Sequence, residues 1–330
     1  MNTFQAFRIH EAGGKVTARF DELTIDQLSP GDVVIEVQFS DINYKDALAA
    51  TGAGKILRRY PLVGGIDLAG VVRSSSDPRH EPGDAVLVTG CGLSETVDGG
   101  YARFARVSGE SVIPLPTSLD AFRAMALGTA GFTAALAIHR MERNGQSPAR
   151  GPVVVTGATG GVGSIAIDML AGRGYEVIAV TGKRDAADYL RALGAYQVVS
   201  REQLALGSRP LEAARFAGAI DNVGGEMLAG LTRHMDFWGN IACIGLAGGA
   251  ELKTTVMPFI LRGVNLLGIN SSATPRPERL EVWQRIATDL SPKHLDRIVT
   301  RTIPLVELPG AFQAHLDAKV VGRTVVRIGG

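Results

Sequence analysis

The sequence lacks most of the features that place a protein at sight. Only two of its 330 residues are cysteine, Cys91 and Cys243. Two cysteines build neither a disulfide framework nor a four-cysteine zinc site, and both read as buried apolar fillers rather than reactive thiols. The histidines His10, His80, His139, His234, His294 and His315 include no i, i+4 pair, so no helix face is laid out for a metal. No run of ~20 uninterrupted apolar residues offers a membrane span. The chain does not open on a basic segment followed by an apolar run, so the expected compartment is the cytoplasm. A formal net charge of +1, with no basic cluster interleaved with aromatics, gives nucleic acid and anionic membranes no surface to hold. Internal repeats and low-complexity segments are absent.

What is present is an ordinary globular composition, 45% hydrophobic and 20% charged, on a chain too long for one ordinary core. Two domains are expected. The 41 glycines are in excess and imply tight turns and close backbone approaches. Up to about residue 120 the chain reads as β-rich. Alternating runs such as Phe4–Ile9 and Asp32–Val37 are bounded by Gly13-Gly14 and Ser29-Pro-Gly-Asp32, and further strands lie at Val71-Val72 and Ala85–Val88. Asn43–Leu48 reads as a single helical turn. Leu119–His139 reads as a helix broken near Gly128 and Gly131. Strands then alternate with helices: strands at Val153–Thr156, Glu176–Val180, Gln197–Val199, Gly218–Asp221, Asn240–Ile244 and Asn265–Ile269, with helices at Ala186–Leu193 and Met227–Arg233. That alternation predicts a doubly wound parallel sheet with helices on both faces. The last strand, Arg323–Ile328, has no place in a six-strand sheet of that kind and is expected to return to the first domain.

One stretch carries chemistry. Val153–Thr156 reads as a buried strand, Gly157–Gly163 as a glycine-dense turn, and Ser164–Ala171 as a helix. Strand, glycine turn and helix in that order suit a pyrophosphate, because glycines let the backbone approach and the helix start offers unpaired N–H groups and a positive dipole end. The G-x-G-x-x-G pattern is not intact, since Ala158 stands in its first place. The end of the second strand faces the adenine ribose in such folds, and an acid there binds the 2′-hydroxyl of NAD. This chain has Thr181-Gly-Lys-Arg184 instead, with no acid before Asp185. Two cations and a hydroxyl suit a 2′-phosphate, so NADPH is expected over NADH. The bland alternative puts Lys183 and Arg184 in a solvated helix start.

Seven motifs, the glycine turn among them, run nearly end to end: Asn43-Tyr-Lys-Asp46, Gly65-Ile-Asp-Leu-Ala-Gly70, Gly128-Thr-Ala-Gly-Phe-Thr-Ala-Ala135, Val155–Gly163, Asp221-Asn-Val-Gly-Gly225, Pro258-Phe-Ile-Leu-Arg-Gly263 and Gly322-Arg-Thr-Val-Val326. With them the chain resembles the medium-chain dehydrogenase/reductase superfamily. Within it, the chain looks like the zinc-free quinone-oxidoreductase branch, and within that the NADPH-dependent acryloyl-CoA reductases. The resemblance implies a two-domain α/β protein: a GroES-like β-rich substrate domain over residues 1–123 and 270–330, and a Rossmann domain over 124–269. It also implies a homodimer formed through the last Rossmann strand, and a small-molecule substrate in the cleft between the domains. It places Ala158, Thr159, Gly160, Gly161 and Val162 at the pyrophosphate, and Thr181, Lys183, Ser200 and Arg201 around the 2′-phosphate. Asn43, Thr129, Asn222, Gly245 and Asn270 fall along the rest of the cofactor. Arg323 is assigned to the cofactor or an acyl-CoA phosphate, with a surface cation at a strand start as the plainer reading. The chain departs from the family pattern at Gly64, Cys91 and Asn270.

The zinc alcohol dehydrogenases share this architecture. Their catalytic zinc takes a Cys and a His where this chain has Asn43 and Ile66, neither of which replaces thiolate or imidazole, so no metal is expected. Without zinc nothing acidifies a simple alcohol, and an activated double bond is the easier substrate. Tyr44 is the candidate donor to the oxyanion, with Asn43 beside the nicotinamide; the plainer role of Tyr44 is a packing ring with its hydroxyl capped. Lys45 and Asp46 are expected to pair as structural support. The competing functions are quinone or enone reduction by the same hydride step, and a non-enzymatic NADPH-binding protein with a structural or sensing role. A short-chain dehydrogenase is rejected, because no Tyr-x-x-x-Lys follows the glycine turn and about 150 residues precede it.

Overall fold

In the first unit, burial alternates along β3 (Val33–Asp41): Val33, Ile35 and Val37 point inward, while Val34, Glu36 and Gln38 do not. The same two-residue period shapes β1 (Phe4–Ala12) and β2 (Lys15–Leu23), joined by the left-handed pair Gly13-Gly14. The computed structural model describes residues 3–329, and the chain divides between two units. One unit holds the chain to Thr129, Ser271–Ala287 and 296 onward; the other holds Ala130–Asn270 and Thr288–Leu295. The boundary thus falls several residues later than the sequence suggested, and eight residues near 290 return to the second unit.

In the first unit β3 continues into α1 (Tyr44–Thr51), β4 (Leu62–Val63), β5 (Asp67–Ser75), β6 (Ala85–Thr89), β7 (Phe104–Val107) and β8 (Ile113–Pro114). α2 (Ala121–Arg143) is interrupted at Gly128, where φ is +51° and ψ is −153°; Gly131, also a suspected break, is helical. The second unit runs β9 (Val153–Thr156), α3 (Gly161–Gly172), β10 (Val177–Val180), α4 (Ala187–Ala192), β11 (Gln197–Val199) and α5 (Arg201–Leu204). It continues with β12 (Phe216–Asp221), α6 (Gly225–His234), β13 (Met235–Cys243), α7 (Met257–Arg262) and β14 (Asn265–Gly268). The chain closes with α8 (Arg276–Ile286), α9 (Leu295–Ile298), β15 (Val299–Pro304), α10 (Leu308–Leu316) and β16 (Arg323–Arg327). β15 and α10 gave no clear sequence signal.

The first unit contains a three-stranded sheet, β2-β1-β4, and a seven-stranded sheet ordered β15-β16-β3-β5-β6-β8, with β7 also pairing β3. β16 pairs antiparallel with β3, Val325 opposite Asp41, so the last strand does return to this unit. The second unit is one parallel sheet, β11-β10-β9-β12-β13-β14, the doubly wound order. Its central strands β9 and β12 are buried along their whole length, as expected where helices cover both faces.

Two local features position the site. The β3–β5 register shifts between Val37 and Phe39, and beyond this bulge both Ser40 and Asp41 are buried. A bulge re-aims side chains, and here Ser40, out of phase with Val33, Ile35 and Val37, is buried beside the in-phase Asp41. Gly64 donates its N–H to the Phe7 carbonyl at 3.0 Å, a bond that a proline there would lack.

Candidate active site

In the second unit the β9–α3 turn has its left-handed residue at Gly157, φ +58°. The sharp turn is therefore made one residue before Ala158, so an alanine in the first place of the pattern costs nothing. A Cβ on Gly163 would overlap the Gly157 carbonyl oxygen and come within 2.8 Å of the Ala158 Cα, which is why this position needs glycine. Gly160 is the N-cap of α3. The N–H groups of Gly161, Val162 and Gly163 have no carbonyl four residues back within the helix, leaving an anion-sized set of donors.

β10 and β11 run in parallel with Val180 opposite Val199, so Thr181 and Ser200 emerge side by side, and Thr181 donates its N–H to the Val199 carbonyl at 3.1 Å. Lys183 follows Thr181, and partial burial lowers its pKa, as it does for any ammonium taken from water. Arg184 and Arg201 both lie close enough to Glu202 to help hold its carboxyl below the usual range, after the hydrogen bond from Ser200. Three cations therefore gather at one edge of the sheet, Arg184 among them although the candidate set omitted it. Ser200 itself is engaged as the N-cap of α5, accepting from the Gln203 N–H at 3.2 Å.

Asn222 lies just beyond β12. Its Nδ2 donates to the Thr156 carbonyl at 2.8 Å and its N–H to Thr156 Oγ1 at 2.9 Å. Its buried Oδ1 has no hydrogen-bond partner among the described residues. Gly245 lies against Asn222, where a Cβ would overlap the Asn222 carbonyl. Asn270 is exposed.

The first unit holds a cluster that the sequence disclosed only in part. Asp41, Asp46 and Asp67 are 0%, 2% and 0% exposed, and Arg323 is 3% exposed. Arg323 is thus neither a surface cation nor an outward-reaching phosphate ligand. Its Nε donates to the Ala126 carbonyl at 3.1 Å and its Nη1 to the Ile42 carbonyl and Asn43 Oδ1 at 3.3 and 3.1 Å. Nη2 lies 2.6 Å from Asp41 Oδ2 as an ion pair. Asn43 Nδ2 gives its hydrogens to Asp41 Oδ1 at 2.7 Å and Asp67 Oδ2 at 2.8 Å. With both hydrogens spent, this amide has none for an oxyanion, and its side chain is fixed between the two carboxyl groups. Asp67 also accepts from the Thr129 N–H at 2.7 Å and lies 2.5 Å from Thr129 Oγ1. Thr129 therefore faces the acids.

Lys45 and Asp46 do not pair. Lys45 reaches Glu95, while Asp46 caps α1 by accepting the Asn43 N–H at 2.8 Å and takes the Ile66 N–H at 3.0 Å. Burial pushes the Asp46 pKa up to about 7 and that of Asp41 well above the carboxylate range, the latter against the pull of Arg323. Tyr101, fully buried, donates to the Asp41 carbonyl at 2.8 Å, and burial raises its pKa too. Tyr44, at the first position of α1, is 50% exposed and so is not a packing ring. Cys91 is half-buried with φ +51°, and Cys243 is half-buried at the end of β13.

The donor set does not suit zinc. Asn43 presents an amide nitrogen whose hydrogens are committed to two carboxylates, and Ile66 presents hydrocarbon. No group of three or more His, Cys, Asp or Glu arranged to hold a metal occurs among the described residues.

Two family models match: an alcohol dehydrogenase GroES-like domain over residues 29–117 and a zinc-binding dehydrogenase domain over 161–288. The chain belongs to the medium-chain dehydrogenase/reductase family of oxidoreductases, in its zinc-free branch. Among relatives, the acrylyl-CoA reductase AcuI of Ruegeria pomeroyi is 48% identical over 96% of both chains. YhfP of Bacillus subtilis, described as a quinone oxidoreductase, is 47% identical over 98% of this chain and 99% of its own. The crystal structure of YhdH from Salmonella enterica in complex with NADP is 46% identical, superposes with a TM-score of 0.95, and covers 98% of this chain and 100% of that one.

Proposed function

We propose that the protein is an NADPH-dependent reductase of an activated carbon–carbon double bond, with acryloyl-CoA, giving propionyl-CoA, as its substrate. The observation that carries the cofactor half is the β9–α3 turn: a glycine where only glycine fits, next to uncapped N–H groups. The cations Lys183, Arg184 and Arg201 at the adjoining strand ends support a 2′-phosphate. The unpartnered Asn222 Oδ1 is a buried acceptor suited to a hydroxyl or amide N–H of the nicotinamide half. The bound nucleotide supplies a hydride; every other task falls to the chain. Tyr44 stabilises the carbonyl oxygen on which charge builds, and Asn43, locked between the acids and Arg323, keeps the start of α1 in place. The AcuI relative supports an acyl-CoA acceptor, and the YhfP relative keeps quinone or enone reduction as the second reading.

The test is NADPH oxidation against acryloyl-CoA, free enones and simple quinones. Acryloyl-CoA is expected to be consumed mole for mole and with the highest kcat/KM. A quinone turned over faster moves the protein to the second reading, and no turnover on any acceptor favours the non-enzymatic one. In the same assay Lys183→Ala should lower the NADPH-over-NADH preference about tenfold. Full turnover in Tyr44→Phe would remove that hydroxyl from the mechanism.

Two unpaired cysteines agree with a reducing compartment, and the cytoplasm is part of the proposal. So is a homodimer. β14 is an edge strand, and Trp238, Ile260, Leu261 and Leu266 are exposed beside it or near it in sequence. Such an edge invites a second strand. Sedimentation should give twice the chain mass, and Ile260→Asp with Leu266→Asp should halve it; a wild-type monomer would end this part of the reading. The helix Ala121–Arg143 is long and apolar enough to cross a membrane, but 83% of its apolar window is buried inside the protein.

A further inference from the structure

We propose that the proton added to the substrate's α-carbon is delivered by the hydroxyl of Thr129, refilled from a proton that Asp41 and Asp67 hold between them. This rests on the double-bond reduction proposed above and supplies its missing acid.

The cluster's charge argues for a held proton. Asp41 on β3, Asp46 on α1 and Asp67 on β5 are fully buried, and among the described residues the cation paired with them is Arg323 on β16. The other titratable groups facing them do not restore the balance. Tyr101 is neutral, and His315 on α10 faces Arg323 with its pKa pushed down to about 4 by burial. Arg279 on α8 faces Asp67 from a distance, while its guanidinium donates to the carbonyls of Thr89, Ser271 and Ser272 at 2.8, 2.9 and 3.2 Å. Full ionisation would leave uncompensated negative charge out of water, and protonation is cheaper. The Asn43 amide bridges Asp41 Oδ1 and Asp67 Oδ2, so the two carboxyl groups stand one side chain apart, close enough that a charge on one opposes a charge on the other. At Gly128 a Cβ would run into Asp41 Oδ2 and lie 2.8 Å from both Asp67 Oδ2 and Arg323 Nη2, so the helix break leaves the room in which these groups converge.

The exit is equally constrained. Asp41, Asp46, Asp67 and Arg323 are sealed from solvent, whereas Asn43 and Thr129 are partly exposed. Asn43 is no acid, and both its amide hydrogens are spent. Thr129 Oγ1 remains, 2.5 Å from Asp67 Oδ1. Asp67 Oδ2 already accepts from Asn43 and from the Thr129 N–H, so Oδ1 is the oxygen left to carry a proton toward the hydroxyl. A threonine hydroxyl accepts and donates at once.

When hydride has reached the β-carbon, the substrate is an enolate. Its C=O re-forms as the α-carbon takes the proton of the Thr129 hydroxyl, and Thr129 Oγ1 takes the proton of Asp67 Oδ1. The carboxylate left behind lies among the Asn43 amide, the Thr129 N–H and the field of Arg323. After product leaves, water returns one proton through the same hydroxyl. No further reagent is needed.

The test is reduction of acryloyl-CoA by the holoenzyme in D2O. Wild type should place deuterium on one face of the α-carbon. Thr129→Val should lose about 100-fold in kcat, the size of a general acid's contribution. It should give both α-deuterated enantiomers, with the loss carried by kcat rather than by the KM for acryloyl-CoA. Thr129→Ser should restore single-face delivery, a result that a packing role does not produce; Thr129→Ala repeats the experiment if valine is not accommodated. Single-face delivery at near wild-type kcat in Thr129→Val overturns the inference and leaves the reductase reading standing. No reduction by wild type overturns both.

Discussion

Arg323→Met is expected to cost about 3–5 kcal/mol of stability, the range for removing one partner of a buried ion pair. Arg323 satisfies the carbonyls of Ala126 and Ile42 and the Asn43 side chain as well as Asp41. Methionine replaces its apolar stem without donating to any of them. The loss should grow with pH. Burial already raises the Asp41 pKa in the folded protein, and Arg323 is the neighbour that holds it down. Without the guanidinium that pKa rises further. A carboxyl whose folded pKa exceeds its unfolded value of about 4 favours the fold fully below that value and loses this contribution as pH climbs through the folded pKa. The same sign holds for Asp46, whose contribution fades between its unfolded value and about 7. Urea unfolding of variant and wild type at about pH 5 and pH 8 reads the difference directly. An equal loss at both would mean that packing, not charge, sets the cost.

Gly163→Val is expected to abolish nucleotide binding, raising the NADPH dissociation constant at least about 100-fold, or nearly 3 kcal/mol. Even a single carbon at this position overlaps the Gly157 carbonyl. The turn must then open, and the N–H groups of residues 161–163 lose their common aim. The second unit should still fold, with a loss of about 1–3 kcal/mol typical of overpacking. Titration followed by NADPH fluorescence, beside a thermal melt, separates the two effects. Retained binding in a folded variant would place the nucleotide elsewhere and remove the basis of the proposed function.

The two variants probe parts that were unequally visible in the sequence. The glycine turn was legible because its demands are local. A β-branched run, a left-handed residue and a helix start must follow one another, and each leaves its own residue type. The pairing that sets Thr181 beside Ser200 was also within reach, because parallel strands in an alternating βα order have few arrangements. Ala158 seemed a defect in the pattern; the positive φ at Gly157 shows that the turn is made one residue earlier. The acid cluster was not legible in this way. Lys45 beside Asp46 suggested a pair, but α1 turns Lys45 toward Glu95 and bends Asp46 back to its own helix start. Asp41 is in phase with the inward Val33, Ile35 and Val37, but an acid at a strand end reads as exposed until its partner Arg323 is placed beside it. Arg323 reads as a surface cation until β16 is seen paired with β3.

The sequence by itself determined the doubly wound order, the nucleotide turn and the absence of zinc ligands at Asn43 and Ile66, since these follow from periodicity, backbone freedom and donor type within short spans. Tertiary structure alone decided that Asp41, Asp46, Asp67, Thr129 and Arg323 share one buried site. They come from five segments of the first unit, up to 282 positions apart between Asp41 and Arg323. Burial then makes charges that water would screen at the surface act strongly on one another.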